Sequence, residues 1–388
     1  MCVSSRRSEA VKLLSLSYQR FRNLDAVTLE PSAHATIAVG ENGQGKTNLL
    51  EGLYLLATLK PLRANKLSEL IRFGDASAKV TGRFLIAGAE REISVEVIPG
   101  GRTAFVDGKR AQALDAYFGG VSVVAFTPDD LSVVKGGPDG RRAFLDRSVF
   151  NVVPAYLDES REYVRALKSR NKLLKNRAPM SHLQAWDGTL AKLGARLWVR
   201  RRSLMESLVE RARVAFQRIG RSPMEAQWSY EPSHLGEGLV FATASEPELA
   251  ERLLSRLDAR LARDVERGFT SVGPHADDVD ITLGDKPARA YASQGQSRAL
   301  VLAWKVAEIE NLQQVNGFLP LLLLDDVSSE LDPERNAFLM GYLADSGAQT
   351  LLTTTDAALV TRAAGADTKW YRVHAGKVEV RASISPEP

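Results

Sequence analysis

Two short stretches far apart in the chain hold residues whose types and spacing suit phosphate chemistry. Gly40-Glu41-Asn42-Gly43-Gln44-Gly45-Lys46-Thr47 fits the pattern G-x-x-x-x-G-K-[ST] in full. Glycines in such a loop let backbone N–H groups turn inward around phosphates, and a following helix offers them its positive N-terminus. Lys46 is then placed to reach the β- and γ-phosphates, and the Thr47 hydroxyl to ligate Mg²⁺. The second stretch, "LPLLLLDD", is an apolar run ending in Asp325 and Asp326. An aspartate at the C-terminal end of a buried parallel strand can hold Mg²⁺, and the next acid can polarise an attacking water. Two acids after an apolar run also describe a solvated turn. It is the glycine loop elsewhere in the chain that gives the pair its chemical meaning.

These residues need particular elements to position them. "TIAV" runs directly into the glycine loop, and "TNLLEGLYLLATL" follows with apolar residues at helical spacing, so the loop stands between a strand and a helix. Upstream, "VKLLSLSYQRFRNLDAVTLEPSAHATIAVG" reads as short strands broken by polar turns. "AKVTGRFLIAG", "REISVEVIPG" and "RTAFVDGKR" read as antiparallel hairpins with glycine turns. The middle of the chain is long, charged and helix-favouring, and "NRAPMSH" separates two helical stretches into an antiparallel pair. Strand-and-turn character returns at "FTSVGPHADDVDITLGD", followed by a helix from "SQGQSRALVLAWKVAEIENLQQV" and the strands "FLPLLLLDD" and "QTLLTTTD". The expected organisation is a split α/β head, residues 1–126 and 268–388, with a mostly helical arm inserted at 127–267.

Composition bounds the function classes. A chain of 388 residues can bury a sizeable core, and 44% hydrophobic with 25% charged residues is ordinary for a globular protein. A net charge of +4 permits an anionic partner without demanding one. The single cysteine, Cys2, lies in a stretch that reads as a frayed tail and cannot form an internal disulfide, and no Cys/His cluster has zinc spacing. Apolar runs are far shorter than the ~18 residues of a membrane span. A cytoplasmic protein with no membrane association is expected.

A third element is "YASQGQSRALVLAWKVAE". Ser293, Gly295 and Gln296 precede a helix, so a serine hydroxyl and free N–H groups face outward at a positive helix end; the plainer reading is an ordinary serine N-cap. With the glycine loop and the acid pair, however, it resembles the signature loop of ATP-binding-cassette (ABC-type) ATPases. Within that class the chain closely resembles the RecF family of bacterial recombination mediators, relatives of chromosome-maintenance ATPase heads. The residues that carry the likeness are "FRNL", "GENGQGKTNLLEGLY", "PDDLSVVKGGPDGRRAFLD", "GPHADD", "YASQGQSR" and "LLLLDDVSSELDPER".

The resemblance implies a P-loop head with an inserted arm, binding ATP and Mg²⁺. It implies that Asn42, Gly43, Gly45, Lys46 and Thr47 wrap the triphosphate, that Asn48 continues the cradle, and that Arg22 and Asn23 approach the nucleotide from the first strand pair. Asp325 would hold Mg²⁺ with Thr47. Asp326 takes the water-activating place, Ser293, Gly295, Gln296 and Arg298 form the signature loop, and Ser329 to Asp332 form the D-loop. In this class the signature loop caps nucleotide bound by a second copy, so ATP joins a two-fold homodimer. The likeness further implies DNA as partner, at gaps and single-strand/duplex junctions, and cooperation with RecR and RecO to load RecA in repair, replication and the SOS response.

The departures from cassette transporters are specific. Thr355 stands where those ATPases carry a histidine, and Asp326 is shorter than the usual glutamate; the glutamine loop has no clear counterpart, Asp129 and Asp130 lying in its region as a substitute or as a solvated turn. Slow hydrolysis, a timer rather than a motor, is the expectation. His275 reads as a structural turn residue and Ala276 as a missing basic one. In the arm, Arg161, Arg165, Lys168, Arg170, Lys172 and Lys175 form one basic run, and Arg196, Arg200, Arg201, Arg202, Arg211, Arg213 and Arg218 another. Each residue suits a solvated helix face with i,i+4 pairs, or contact with DNA phosphates. The arm is too short for the long coiled coil of a chromosome-tethering head, and no further acidic metal cluster suggests a nuclease.

Overall fold

The computed structural model describes residues 11–381 apart from residues 65, 113–116, 118–120, 221–223, 231 and 233. The N-terminal tail with Cys2 lies outside the described residues. The chain forms two compact units, one of Met1–Leu131 with Val301–Pro388, the other of Ser132–Leu300. The sequence reading drew its boundaries after residues 126 and 267. By contacts the chain divides after residues 131 and 300, so residues 268–300, including the Ser293 loop, group with the helices.

The first unit contains two six-stranded sheets among the described residues. One is antiparallel, in the order β2-β1-β4-β5-β6-β7, built from β1 (Lys12–Phe21), β2 (Leu24–Leu29), β4 (Ala78–Ile86), β5 (Ala89–Ile98), β6 (Gly101–Val106) and β7 (Lys109–Arg110). Its strand β4 alternates buried with less buried positions, because only one face meets the core. The other runs β15-β14-β3-β13-β12-β8. Here β3 (Ala35–Val39), β8 (Val123–Phe126), β12 (Leu321–Asp325), β13 (Thr350–Thr354) and β14 (Lys369–His374) are parallel, and β15 (Lys377–Arg381) is an antiparallel edge. All five residues of β12 and of β13 are buried. This explains their unbroken apolar or threonine-rich sequence, since a parallel strand has no face left for water.

Helix α1 (Lys46–Thr58) touches strands of both sheets, and nearly all its residues are buried. Its sequence, KTNLLEGLYLLAT, is accordingly apolar all round rather than striped. The register pairs Thr354 with Val39 and Asp325 with Thr353. The C-terminal ends of β3, β13 and β12 therefore finish side by side, the place where open α/β sheets bind ligands.

The second unit is mostly helical. Helices α2 (Pro128–Leu131, still in the first unit), α3 (Pro138–Val152), α4 (Tyr156–Lys175) and α5 (Met180–Gly220) precede β9 (Ala226–Ser229). Helices α6 (Glu246–Ala259) and α7 (Leu261–Arg267) then lead to β10 (Asp280–Leu283), which pairs with β9 and with β11 (Lys286–Pro287). The chain turns through α8 (Ala288–Tyr291) into α9 (Gln294–Asn316), which begins in the second unit and ends in the first. Helices α4 and α5 are the pair expected on either side of "NRAPMSH". Among the described residues, no helix is long and apolar enough to cross a membrane.

Candidate nucleotide-binding site

The glycine loop leaves β3 and enters α1 at Lys46, with Gly43 and Gly45 at φ of 79° and 110°. Gly45 has a second reason to be glycine: an added Cβ would lie 2.5 Å from the Asn23 side-chain oxygen. Asn23 braces the loop from outside. Its amide donates to the Gln44 carbonyl at 3.0 Å, and its oxygen accepts from Asn48 Nδ2 at 2.8 Å. Arg22 faces elsewhere, donating to the buried Glu51 carboxylate on α1 at 2.8 Å.

Gln44 is engaged on its other side by the β14–β15 turn. Its carbonyl accepts the Gly376 N–H at 2.9 Å and its side-chain oxygen accepts the Ala375 N–H at 2.7 Å. Gly376, at φ 78°, passes so close that an added Cβ would stand 2.1 Å from the Asn23 carbonyl oxygen. The loop is thus held between the first hairpin and the last. Glu41 and Asn42 remain exposed at its tip.

Lys46 is buried, and its ammonium donates to the carbonyls of Gly40 at 2.6 Å and Glu41 at 2.8 Å. Desolvation lowers its pKa, opposed by the charges of Asp326 and Asp325. Those carbonyl bonds hold the ammonium over the cradle, where a phosphate oxygen is the stronger acceptor. Beside it, Thr47 donates to Asp325 Oδ1 at 2.8 Å, and Thr353 on β13 donates to the same oxygen at 2.9 Å. The other Asp325 oxygen is buried without a hydrogen bond among the described residues and forms an ion pair with Arg63 at 3.0 Å.

A buried carboxylate oxygen with no donor, next to a threonine hydroxyl, fits a hard divalent cation, which takes oxygen ligands. Thr47 and Asp325 would hold it, supplying positive charge against the phosphates. Among the described residues no cluster of three or more His, Cys, Asp or Glu could hold a metal by itself.

Asp326 follows in the left-handed region, φ 51°, which aspartate tolerates better than most residues. Its N–H donates to the Thr353 carbonyl, and its carboxylate accepts the Thr355 N–H at 3.4 Å. Desolvation raises its pKa from the ordinary aspartate value; Lys46 opposes the shift and Asp325 adds to it. Where a transporter would carry histidine, Thr355 thus offers Asp326 a backbone N–H. Ser329 donates to the Asp326 carbonyl at 2.7 Å, and Asp332 caps α11 (Pro333–Ser346), which follows the short helix α10 (Val327–Glu330).

In the second unit the Ser293 loop closes on itself. Gln296 N–H donates to Ser293 Oγ at 3.1 Å, and Ser293 N–H donates to Gln296 Oε1 at 2.8 Å. This is a reciprocal capping box at the start of α9. Ser293 is exposed, so its hydroxyl serves the helix and still faces solvent. Asp130, in contrast, is buried and caps α2 through the Thr127 N–H at 3.0 Å, while Asp129 is exposed. His275 is tied between the Tyr163 hydroxyl at 2.7 Å and the Thr270 carbonyl at 2.9 Å, as a structural turn residue should be.

Sequence reasoning missed Arg63, Thr353 and the Ala375–Gly376 turn. Thr353 stood inside "TLLTTTD" with nothing to mark which threonine would face Asp325; only the β12–β13 register decides it. The turn at Ala375–Gly376 meets Gln44 across 331 positions of sequence, a contact with no local signal.

The comparisons with known proteins agree with this geometry. The family model described as RecF/RecN/SMC N terminal domain matches residues 12–379. The DNA replication and repair protein RecF of Myxococcus xanthus is 66% identical over 97% of this chain and 100% of its own length. That of Geobacter sulfurreducens is 40% identical over 94% of this chain and 99% of its own. The solved structure of the recombination mediator protein RecF–ATPrS in the RecFOR pathway superposes with a TM-score of 0.86 at 30% identity, covering 96% of this chain and 99% of that one. The solved structure of the SmcHead bound to the C-winged helix domain of ScpA shares the fold at a TM-score of 0.54 and 17% identity, covering 97% of this chain and 98% of that one. Built on an ABC-type ATPase head with an inserted helical arm, the chain belongs to the RecF family of DNA replication and repair proteins, within the RecF/RecN/SMC N-terminal domain family.

Proposed function

We propose that this chain is an ATP-switched DNA-binding protein of recombinational gap repair, in which two copies close on Mg-ATP and hold DNA at single-strand/duplex junctions. The observation that carries the reading is the cradle itself. Lys46 is poised on the Gly40 and Glu41 carbonyls, beside a Thr47–Asp325 pair whose second carboxylate oxygen lacks a hydrogen-bond donor. Gly40 to Asn48 would wrap the triphosphate, Thr47 and Asp325 would hold Mg²⁺, and Asn23 and Arg22 would support the loop. Ser293 and Gln296 would cap nucleotide on the second copy, which a symmetric interface requires to occur twice. A ligand that touches both copies stabilises the joined state, so ATP acts as a switch. RecR, RecO and RecA are the protein partners this reading names.

Asp326 would orient the water in place of the longer glutamate, with the Thr355 N–H rather than a histidine beside it, so hydrolysis is slow. The test combines nucleotide binding, light scattering and DNA binding to gapped and blunt duplex, with and without Mg-ATP, across a salt series. Lys46→Ala is expected to abolish ATP binding and the ATP-dependent gain in mass and DNA affinity. A protein that stays single with saturating Mg-ATP and DNA overturns the reading.

A further inference from the structure

The arm carries a row of cations that the nucleotide site does not use. Of the basic residues in α4, Arg170 is fully buried and bound to Asp187 and Asp264, and Arg161 pairs with Asp158. Arg165, Lys168, Lys172 and Lys175 are exposed, and their side chains make no ion pair or hydrogen bond with the described residues. Their spacing of three, four and three residues puts them on one helix face. The opposite face, Tyr163, Ala166, Arg170 and Leu174, is buried. From Tyr163 to Arg177 the sequence holds no acid. At ~1.5 Å per residue the row is about 15 Å long, close to the rise of four base pairs along one strand.

An exposed aromatic flanks this row. Phe269 follows Gly268, whose ideal Cβ position is 3.3 Å from Lys175 Cγ, and precedes Thr270, whose N–H donates to Asn171 Oδ1 at 2.8 Å. It is therefore carried alongside the last turn of α4, and it is 45% exposed. The adjacent α7 presents Arg263 and Arg267 to solvent against one exposed acid, Glu266. A ridge of unpaired cations beside an exposed ring is what tracking a phosphate backbone and stacking an unpaired base require.

We infer that the exposed face of α4, with Phe269, binds single-stranded DNA, the cations following the backbone and the ring taking an unpaired base. This rests on the reading of the chain as a DNA-binding ATPase and assigns that activity to a surface. The test measures fluorescence anisotropy of a single-stranded oligonucleotide and of a blunt duplex with the full chain and Mg-ATP, across a salt series. Three variants are compared: Arg165→Gln/Lys168→Gln/Lys172→Gln/Lys175→Gln, Phe269→Ala, and a charge-matched control, Lys12→Gln/Lys79→Gln/Lys109→Gln/Lys377→Gln, at exposed positions of the head.

The arm variant should retain ATP binding while its slope of log affinity against log salt flattens by about 3 on single strands. Phe269→Ala should lose about tenfold on single strands and little on blunt duplex. Equal weakening by the control, or unchanged binding by the arm variant, overturns the assignment. An unaltered protein that binds no DNA overturns the underlying reading instead, and is seen before any variant is made.

Discussion

At the scale of single residues, the site sets stability against chemistry. Burial holds the Asp326 pKa above its ordinary value. A carboxyl with a raised pKa in the folded state contributes stability at low pH that is lost as pH rises through that value. At neutral pH its ionised form is therefore a burden on the fold. Asp326→Asn keeps the shape, tolerates the left-handed backbone and removes the charge. It should raise the unfolding midpoint at pH 7 while lowering turnover by about 100-fold or more. Melting curves at pH 7 and at acid pH, where the stabilisation should vanish, decide it; equal stabilisation at both would rule out the charge argument.

Arg63 allows a second test at this scale. It forms an ion pair with a buried Asp325 oxygen that has no hydrogen bond among the described residues. Arg63→Ala should lower the midpoint in chelator and recover most of that loss with Mg-ATP, because the cation then supplies the missing charge. The same drop in both conditions would mean that Arg63 acts through packing alone. Lys46, Thr47, Asp325 and Asp326 were legible in the sequence because a loop and a strand end each announce themselves locally. Arg63 and Thr353 were not, because their roles exist only once β12, β13 and the segment after α1 are side by side.

At the scale of elements, the arm shows where reading charge runs goes astray. Seven arginines along α5 and six cations along α4 looked like one kind of surface. The structure sorts them by helix face: Arg201 is buried among Asp146, Tyr156, Tyr230 and the Pro274 carbonyl, Arg200 pairs with Glu159, and Arg202 donates to carbonyls near residue 244. The apolar spacing gave the α4–α5 pair, but an arginine on its buried face is spelled like one on its exposed face. Its carboxylate partners lie up to 94 positions away, as Asp264 does from Arg170. Arg170 contacts Asp187 at 2.6 Å, Asp264 at 3.0 Å and Thr270 at 2.9 Å, all buried. Arg170→Met would leave two carboxylates buried without their cation, at a cost of about 3–5 kcal/mol. Denaturant unfolding measures this, and a loss below about 1 kcal/mol would show that those acids reach water or another donor.

At the scale of the whole molecule, the proposed dimer turns on whether Ser293 does more than start a helix. Its hydroxyl accepts the Gln296 N–H, so a change to alanine would cost about 1 kcal/mol as a lost N-cap and confuse the two roles. Aspartate separates them. It caps a helix as well as serine does, and the carboxylate that Ser293→Asp introduces would bring an anion to the place where the reading puts a second copy's γ-phosphate. The variant should match the unaltered protein in melting temperature and in ATP affinity per chain. It should not gain mass on adding Mg-ATP, and the ATP-dependent part of its DNA affinity should vanish. Mixing it with a Lys46→Ala chain sharpens the test, since the mixed pair sets the intact cradle of one chain against the intact signature loop of the other. Its second pocket lacks both. One complete pocket is restored, so the mixture should regain part of the ATP-dependent mass that neither variant gains alone. If Ser293→Asp associates as readily as the unaltered protein, the serine is a helix cap only, and nucleotide cannot be the joint between two copies.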